Sequence, residues 1–318
     1  MDINNRQYEN PQGQQEWKPR RAPEPLFGFF GYIVGILSLI FVGSRLQYKY
    51  GMAGLAMTEI IILAVAVLST NVFRFDLPET FPLRKPTSRQ VGGTLVVWMG
   101  FWGLTMSLTM SLFSFFPDSL VGTNTSMNDF VTSVPFPLRV LIMAVMPAIC
   151  EEALFRGFLQ RSMRGWSRWP RIITVGILFG IMHLDPIRIP PTALLGVALA
   201  LVMVKTENLL LPALFHFVHN LLSTLSTLAY GSFFLTASAP DIMAEAEALL
   251  NNPNAMLAMA CVYGMGAPFL ILAGNILLEP RRPHVAGRFA AIKPQFIAAG
   301  IATGVFALGL VISIVMAI

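Results

Sequence analysis

Residues 151–156 read Glu151-Glu152-Ala153-Leu154-Phe155-Arg156 and close an apolar stretch that begins near Pro137. A bilayer core about 30 Å thick is crossed by about 20 helical residues, and this stretch has that length. Two carboxylates and a guanidinium inside it are costly, at about 2.5–3.5 kcal/mol per charge near a helix centre. Such groups persist where they pair with one another or face a polar cavity. The stretch therefore predicts both a membrane helix and a site.

The rest of the chain agrees with the first half of that reading. Of 318 residues, 55% are hydrophobic and only 12% are charged, against about 25% charged in a soluble domain. Apolar runs recur along the whole length. Their spacing predicts nine spans, at about 26–43, 52–73, 91–116, 137–159, 172–183, 191–204, 209–229, 256–278 and 296–317. The expected fold class is all-α, a polytopic transmembrane helix bundle in which four to five helices carry the site. The expected divisions are a disordered tail at 1–24, accessory spans at 25–135, a core at 136–230, an extracytosolic amphipathic linker at 231–254 and accessory spans at 255–318.

The net charge of +5 is read loop by loop. Arg6, Lys18, Arg20 and Arg21 fall on one side of a nine-span chain, together with Arg84, Lys85, Arg161, Arg164, Arg281 and Arg282. The acids Asp118, Asp129, Asp241, Glu245 and Glu247 fall on the other. By the positive-inside rule the N-terminus is cytosolic and the C-terminus is not; Arg45 and Lys49 run against the trend. In a bacterium this would be the inner membrane. No aromatic-studded basic face is present, so nucleic acid is excluded as a partner. Cys150 and Cys261 lie in apolar stretches, as buried thiols rather than a disulfide.

The fifth and sixth spans are short. A dozen helical residues reach only about 18 Å. Their connection, His183-Leu184-Asp185-Pro186-Ile187-Arg188, is polar and broken by proline. Irregular backbone at membrane depth survives only where protein or a wet cavity surrounds it.

Polar groups on three spans fall at compatible depths. Glu152 and Arg156 are four residues apart and can pair on one face, while Glu151 projects elsewhere. Phe179 and His183 share a face, as do His216 and Asn220. A carboxylate with a histidine can activate water as a general base. A carboxylate with two histidines, Glu151, His183 and His216, can instead hold a zinc ion that lowers the pKa of water. A neutral histidine and an amide can donate to a developing oxyanion. Both routes lead to hydrolysis, most naturally of a peptide bond. No His-Glu-x-x-His and no Gly-x-Ser-x-Gly occurs.

The three pairs, Glu151-Glu152-x-x-x-Arg156, Phe179-x-x-x-His183 and His216-x-x-x-Asn220, resemble the motifs of the CAAX prenyl protease and bacteriocin-processing (CPBP, or Abi) intramembrane proteases. Order and spacing agree over about residues 137–225. The resemblance implies that Glu151 and His183 activate the hydrolytic water. It implies that His216 and Asn220 line the oxyanion side or a metal site, and that Glu152 and Arg156 organise it. The expected partners are the bilayer and a membrane-associated peptide or protein substrate. The motif leaves open a zinc-bound or a metal-free water, and it does not require His219. Two other classes stay in view. One is a catalytically silent scaffold or immunity-type partner protein of the same fold. The other is an ion-coupled transporter, against which the lack of an internal repeat argues.

Overall fold

A computed structural model describes residues 24–116, 133–236, 252–279 and 288–317, with residues 130 and 248. The expected tail at 1–24, the 231–254 linker and the loop around Arg281 and Arg282 therefore lie wholly or largely outside the described residues. Among the described residues there are helices and no strands. Nine long helices follow in order: α1 (Pro25–Tyr50), α2 (Met52–Val72), α3 (Ser88–Phe115), α4 (136–162), α5 (Arg168–Ile181), α6 (Ile189–Thr206), α7 (Leu210–Thr236), α8 (Pro253–Leu278) and α9 (Arg288–Ala317). Each coincides with one expected span. Six of them, α1, α2, α3, α6, α8 and α9, are long and apolar enough to cross a membrane, and the chain is an integral membrane protein.

Helix α4 is not a uniform α-helix. Two stretches, Leu141–Val145 and Ala153–Leu159, have wider turns closed by i→i+5 hydrogen bonds. The first lies just ahead of Pro147, which has no N–H to donate and whose ring crowds the carbonyl one turn back, at Met143. The second follows Glu152 and contains Arg156. Turns of this kind occur mostly as isolated bulges, often at functional sites.

Small residues let the other helices close on α4. A Cβ at Gly28 would fall 1.9 Å from the Ser162 hydroxyl, one at Gly31 2.4 Å from the Phe158 ring, and one at Gly35 3.1 Å from Leu154. As the α1 number rises the α4 number falls, so the two helices run antiparallel. Helix α2 packs on the same part of α4 through a stripe including Glu59, Ile62 and Ala66. Helices expected to be accessory thus form a wall of the segment that carries the two glutamates.

Helices α5 and α6 form a tight hairpin. A Cβ at Gly176 would lie 2.7 Å from the Val197 amide nitrogen, and one at Gly196 would lie 2.7 Å from the Gly176 carbonyl oxygen. Between membrane helices, dispersion contact across small residues replaces the hydrophobic drive. Gly176→Ala should lower stability by about 1–3 kcal/mol, the usual range for overpacking. Denaturant titration of the protein in detergent micelles would check this, and an unchanged midpoint would show that the hairpin can open without loss.

The turn between α5 and α6 is ordered by its own side chains. The Asp185 carboxylate accepts from the Ile187 amide at 3.0 Å and the Arg188 amide at 3.3 Å. Leu184 takes a positive φ of 55° to make the turn. The irregular His183–Arg188 connection anticipated from the sequence is thus a compact Asx-type turn.

Candidate active site

The site begins on α4. Glu152 and Arg156 are both fully buried and pair at 2.9 Å across one turn. The other terminal nitrogen of Arg156 donates to the Gly196 carbonyl at 3.0 Å, because the missing side chain of Gly196 lets α6 approach. The guanidinium also lies 4.4 Å from the centre of the Phe179 ring, a cation–π distance. One arginine therefore ties α4, α5 and α6 together.

Glu152 reaches across to α7. Its Oε1 accepts the Arg156 bond and also lies 2.9 Å from Nδ1 of His216, which is 3% exposed. A carboxylate can only accept, so Nδ1 carries the proton in the neutral ring. Nε2 then has a lone pair and points the other way, toward Oε2 of Glu151 at 4.0 Å. This changes one expectation. Neutral His216 cannot donate to an oxyanion from Nε2, because its single N–H is committed to Glu152; it donates there only as imidazolium. Neutral His216 is instead an acceptor facing Glu151.

His183 closes the end of α5. Its Nδ1 lies 3.0 Å from the Phe179 carbonyl oxygen, an acceptor, so Nε2 again keeps the lone pair. Its ring meets the edge of Phe179 at 5.3 Å, and His216 meets the same ring at 5.7 Å. Phe179, 1% exposed, is thus the spacer that sets both imidazoles. Behind it stand Phe155, at 5.0 Å, and then Tyr32 of α1, at 6.0 Å from Phe155. Tyr32 donates to the Leu178 carbonyl at 3.1 Å and so pins α1 to α5. His183 is exposed and Glu151 is partly so, with a side chain 16% exposed, whereas Glu152 and Arg156 are sealed.

Asn220 lies one turn beyond His216 on α7 and is partly buried. His219 lies beside it and has a buried Nδ1 without a hydrogen-bond partner. Asn220 shares the His216 face by its four-residue spacing.

The proposed metal set was Glu151, His183 and His216. Among the described residues no three His, Cys, Asp or Glu side chains stand where they could hold one ion. The inner nitrogens of both histidines are held by Glu152 and by the Phe179 carbonyl, which leaves both Nε2 lone pairs free, but Glu151 meets only that of His216. As arranged, the three side chains do not converge on a zinc site.

Sequence reasoning missed Glu59. It sits in α2 at 3% exposure, one of its oxygens has no hydrogen-bond partner, and it lies within electrostatic reach of Glu151 and Cys150. The signal was present: a lone acid in a 21-residue apolar helix incurs the same insertion cost that drew attention to Glu151.

Comparison with known proteins bears on the same segment. Residues 133–222 match the family model described as Rce1-like, type II CAAX prenyl endopeptidase. This span runs from just before α4 into α7 and contains all seven motif residues, in agreement with the resemblance to the CPBP proteases. No curated protein and no solved structure matches the chain.

Proposed function

We propose that this integral membrane protein, whose residues 133–222 match the Rce1-like CAAX endopeptidases, is an endopeptidase that hydrolyses a peptide bond within the membrane. The observation that carries the reading is the facing pair of Glu151 Oε2 and His216 Nε2, 4.0 Å apart. That gap is too long for a direct hydrogen bond and has the width that one water at about 2.8 Å from each atom would bridge. Glu151 takes a proton from this water as the oxygen attacks the scissile carbonyl. Glu152 holds His216 by its inner N–H, as a carboxylate orients the imidazole in a hydrolase triad. His216 receives the proton in turn and, as imidazolium, stabilises the oxyanion with Asn220. It then returns the proton to the leaving amine. His183, exposed and with its Nε2 lone pair free, accepts from a substrate peptide N–H, since both hydrogens of the water are directed to Glu151 and His216.

The exposed edge of the site, at His183 and Glu151, is where a peptide enters. By the distribution of basic loops this is the cytosolic half of the membrane, with the N-terminus cytosolic. The substrate is a membrane-associated peptide or protein.

The test is cleavage of a lipid-anchored, fluorescence-quenched peptide by the purified chain in proteoliposomes. His183→Ala should slow turnover by about 10²-fold, the usual result when a group that positions the substrate is lost. His219→Gln should leave the rate within about threefold, since the mechanism assigns His219 no part, whereas loss of a catalytic group costs orders of magnitude. No cleavage of any anchored peptide, or equal loss in both variants, would remove the protease reading.

A further inference from the structure

A polar cavity lies beside Arg156. It has a volume of about 550 Å³ and is bounded by the 78–84 segment, the end of α4, the start of α5 and the end of α6. Five arginines line it, Arg84, Arg156, Arg161, Arg164 and Arg171, against two glutamates, Glu79 and Glu207. The glutamates are already taken. Glu79 pairs with Arg161, and Glu207 lies 3.8 Å from Arg164. Among the described residues, Arg84 and Arg171 have no carboxylate at ion-pairing distance. The lining is therefore cationic after all its internal pairs are counted.

Its donors are also unsatisfied. The Nε atoms of Arg156, Arg161 and Arg171 are buried and have no hydrogen-bond partner. Buried donors nearly always have an acceptor, and the three side chains that carry these N–H groups converge on one cavity whose cationic lining suits a ligand rich in acceptor oxygens. The cavity is built rather than incidental. The Asn208 side chain bonds the Arg84 backbone in both directions, at 2.7 and 3.2 Å, and the Leu209 amide donates to the Pro82 carbonyl at 2.8 Å. These bonds hold the 82–84 segment against the α6–α7 turn. Gln160 closes the floor by donating to the Ala200 carbonyl at 3.0 Å.

The position narrows the ligand. The cavity opens where three helix ends meet, and the exposed Trp166 and Trp169, a residue type that favours the headgroup layer, lie within a few residues of Arg164 and Arg171. Exposed Leu83 stands at its rim and Phe81, Met203 and Val204 form an apolar side. Basic pockets between membrane helices at that level suit anionic lipid headgroups. We propose that this cavity binds the phosphate of an anionic phospholipid, with Arg84 and Arg171 as its unpaired cations. The site is separate from the catalytic pair and does not depend on the protease reading. Arg156 touches both, so an occupant would help hold the guanidinium that Glu152 needs.

The experiment is native mass spectrometry of the full chain released from nanodiscs of equal phosphatidylglycerol and phosphatidylcholine. One phosphatidylglycerol per chain should be retained in preference to phosphatidylcholine. Arg84→Gln and Arg171→Gln should each cut that retention about fivefold, as expected for loss of one headgroup-level cation. Arg84 sits in an exposed loop, so its variant stands even if Arg171→Gln misfolds. Equal retention of both lipids, or retention unchanged in Arg84→Gln, would overturn the site. Displacement of the lipid by millimolar inorganic phosphate would assign the cavity to a free anion instead. Displacement by a peptide with a free C-terminal carboxylate, but not by its amide, would assign it to substrate; both results overturn the lipid proposal.

Discussion

Glu151→Gln is expected to reduce peptide hydrolysis by about 10²–10⁴-fold, the range for loss of a positioned general base. The substitution keeps the shape of the side chain and its distance of about 4 Å from His216, but an amide cannot accept the proton of the attacking water. The loss should therefore appear in kcat, with KM little changed, because the substrate contacts remain. Folding should survive. Glu151 is the partly exposed member of the pair and makes no bond that the fold depends on, whereas Glu152 makes two. Steady-state kinetics in proteoliposomes, with thermal unfolding as the control, reads both quantities. A Glu151→Gln protein that cleaves as fast as its parent would remove Glu151 as the base.

Arg156→Met is expected to have the largest effect on stability, a loss of about 3–5 kcal/mol, the usual result of removing one partner from a buried ion pair. The Glu152 carboxylate would stay fully buried with His216 as its remaining donor, and the Gly196 carbonyl would lose its partner. The cation–π contact with Phe179 goes as well. A double variant, Arg156→Met with Glu152→Gln, should recover part of the loss, because no uncompensated charge is left in the bundle. Denaturant titration in micelles of the two single variants and the double variant gives the coupling directly. If the double variant is no more stable than Arg156→Met, the ion pair is not what holds α4, α6 and α7 at this depth. Arg156→Lys should not rescue fully, since an ammonium cannot present two nitrogens in the fork that Glu152 and Gly196 share.

These two residues divide the work of the acidic pair. Glu152 is structural in its bonding, and in the proposed mechanism it acts only through His216, whereas Glu151 takes the proton of the attacking water. The division follows from geometry, since adjacent residues on a helix diverge by about 100°, and the wide turn at Ala153–Leu159 begins right after them.

Much of this was readable along the chain. Apolar runs of about a dozen to about 25 residues mark helices in a membrane chain, so the nine long helices among the described residues followed from hydropathy and lie at the expected positions. The Glu152–Arg156 pair followed from a four-residue spacing and an insertion cost that neither group bears alone. Other features had no local signature. The wide turn at Ala153–Leu159 contains no proline that would announce it. Glu59 was visible as an acid in an apolar helix, yet its nearness to Glu151 comes from α2 folding back on α4. The tautomer of His216 is set by a carboxylate 64 positions away in the chain, which no periodicity reports.

What hydropathy and spacing establish is therefore the class of molecule, the helices and the cast of polar residues, because a bilayer charges for polarity residue by residue and that cost is local. Which imidazole nitrogen is free, which glutamate faces water, and that five arginines surround one cavity are matters of assembly. They depend on distances between helices, and those are set by small residues such as Gly31, Gly176 and Gly196 that allow close approach.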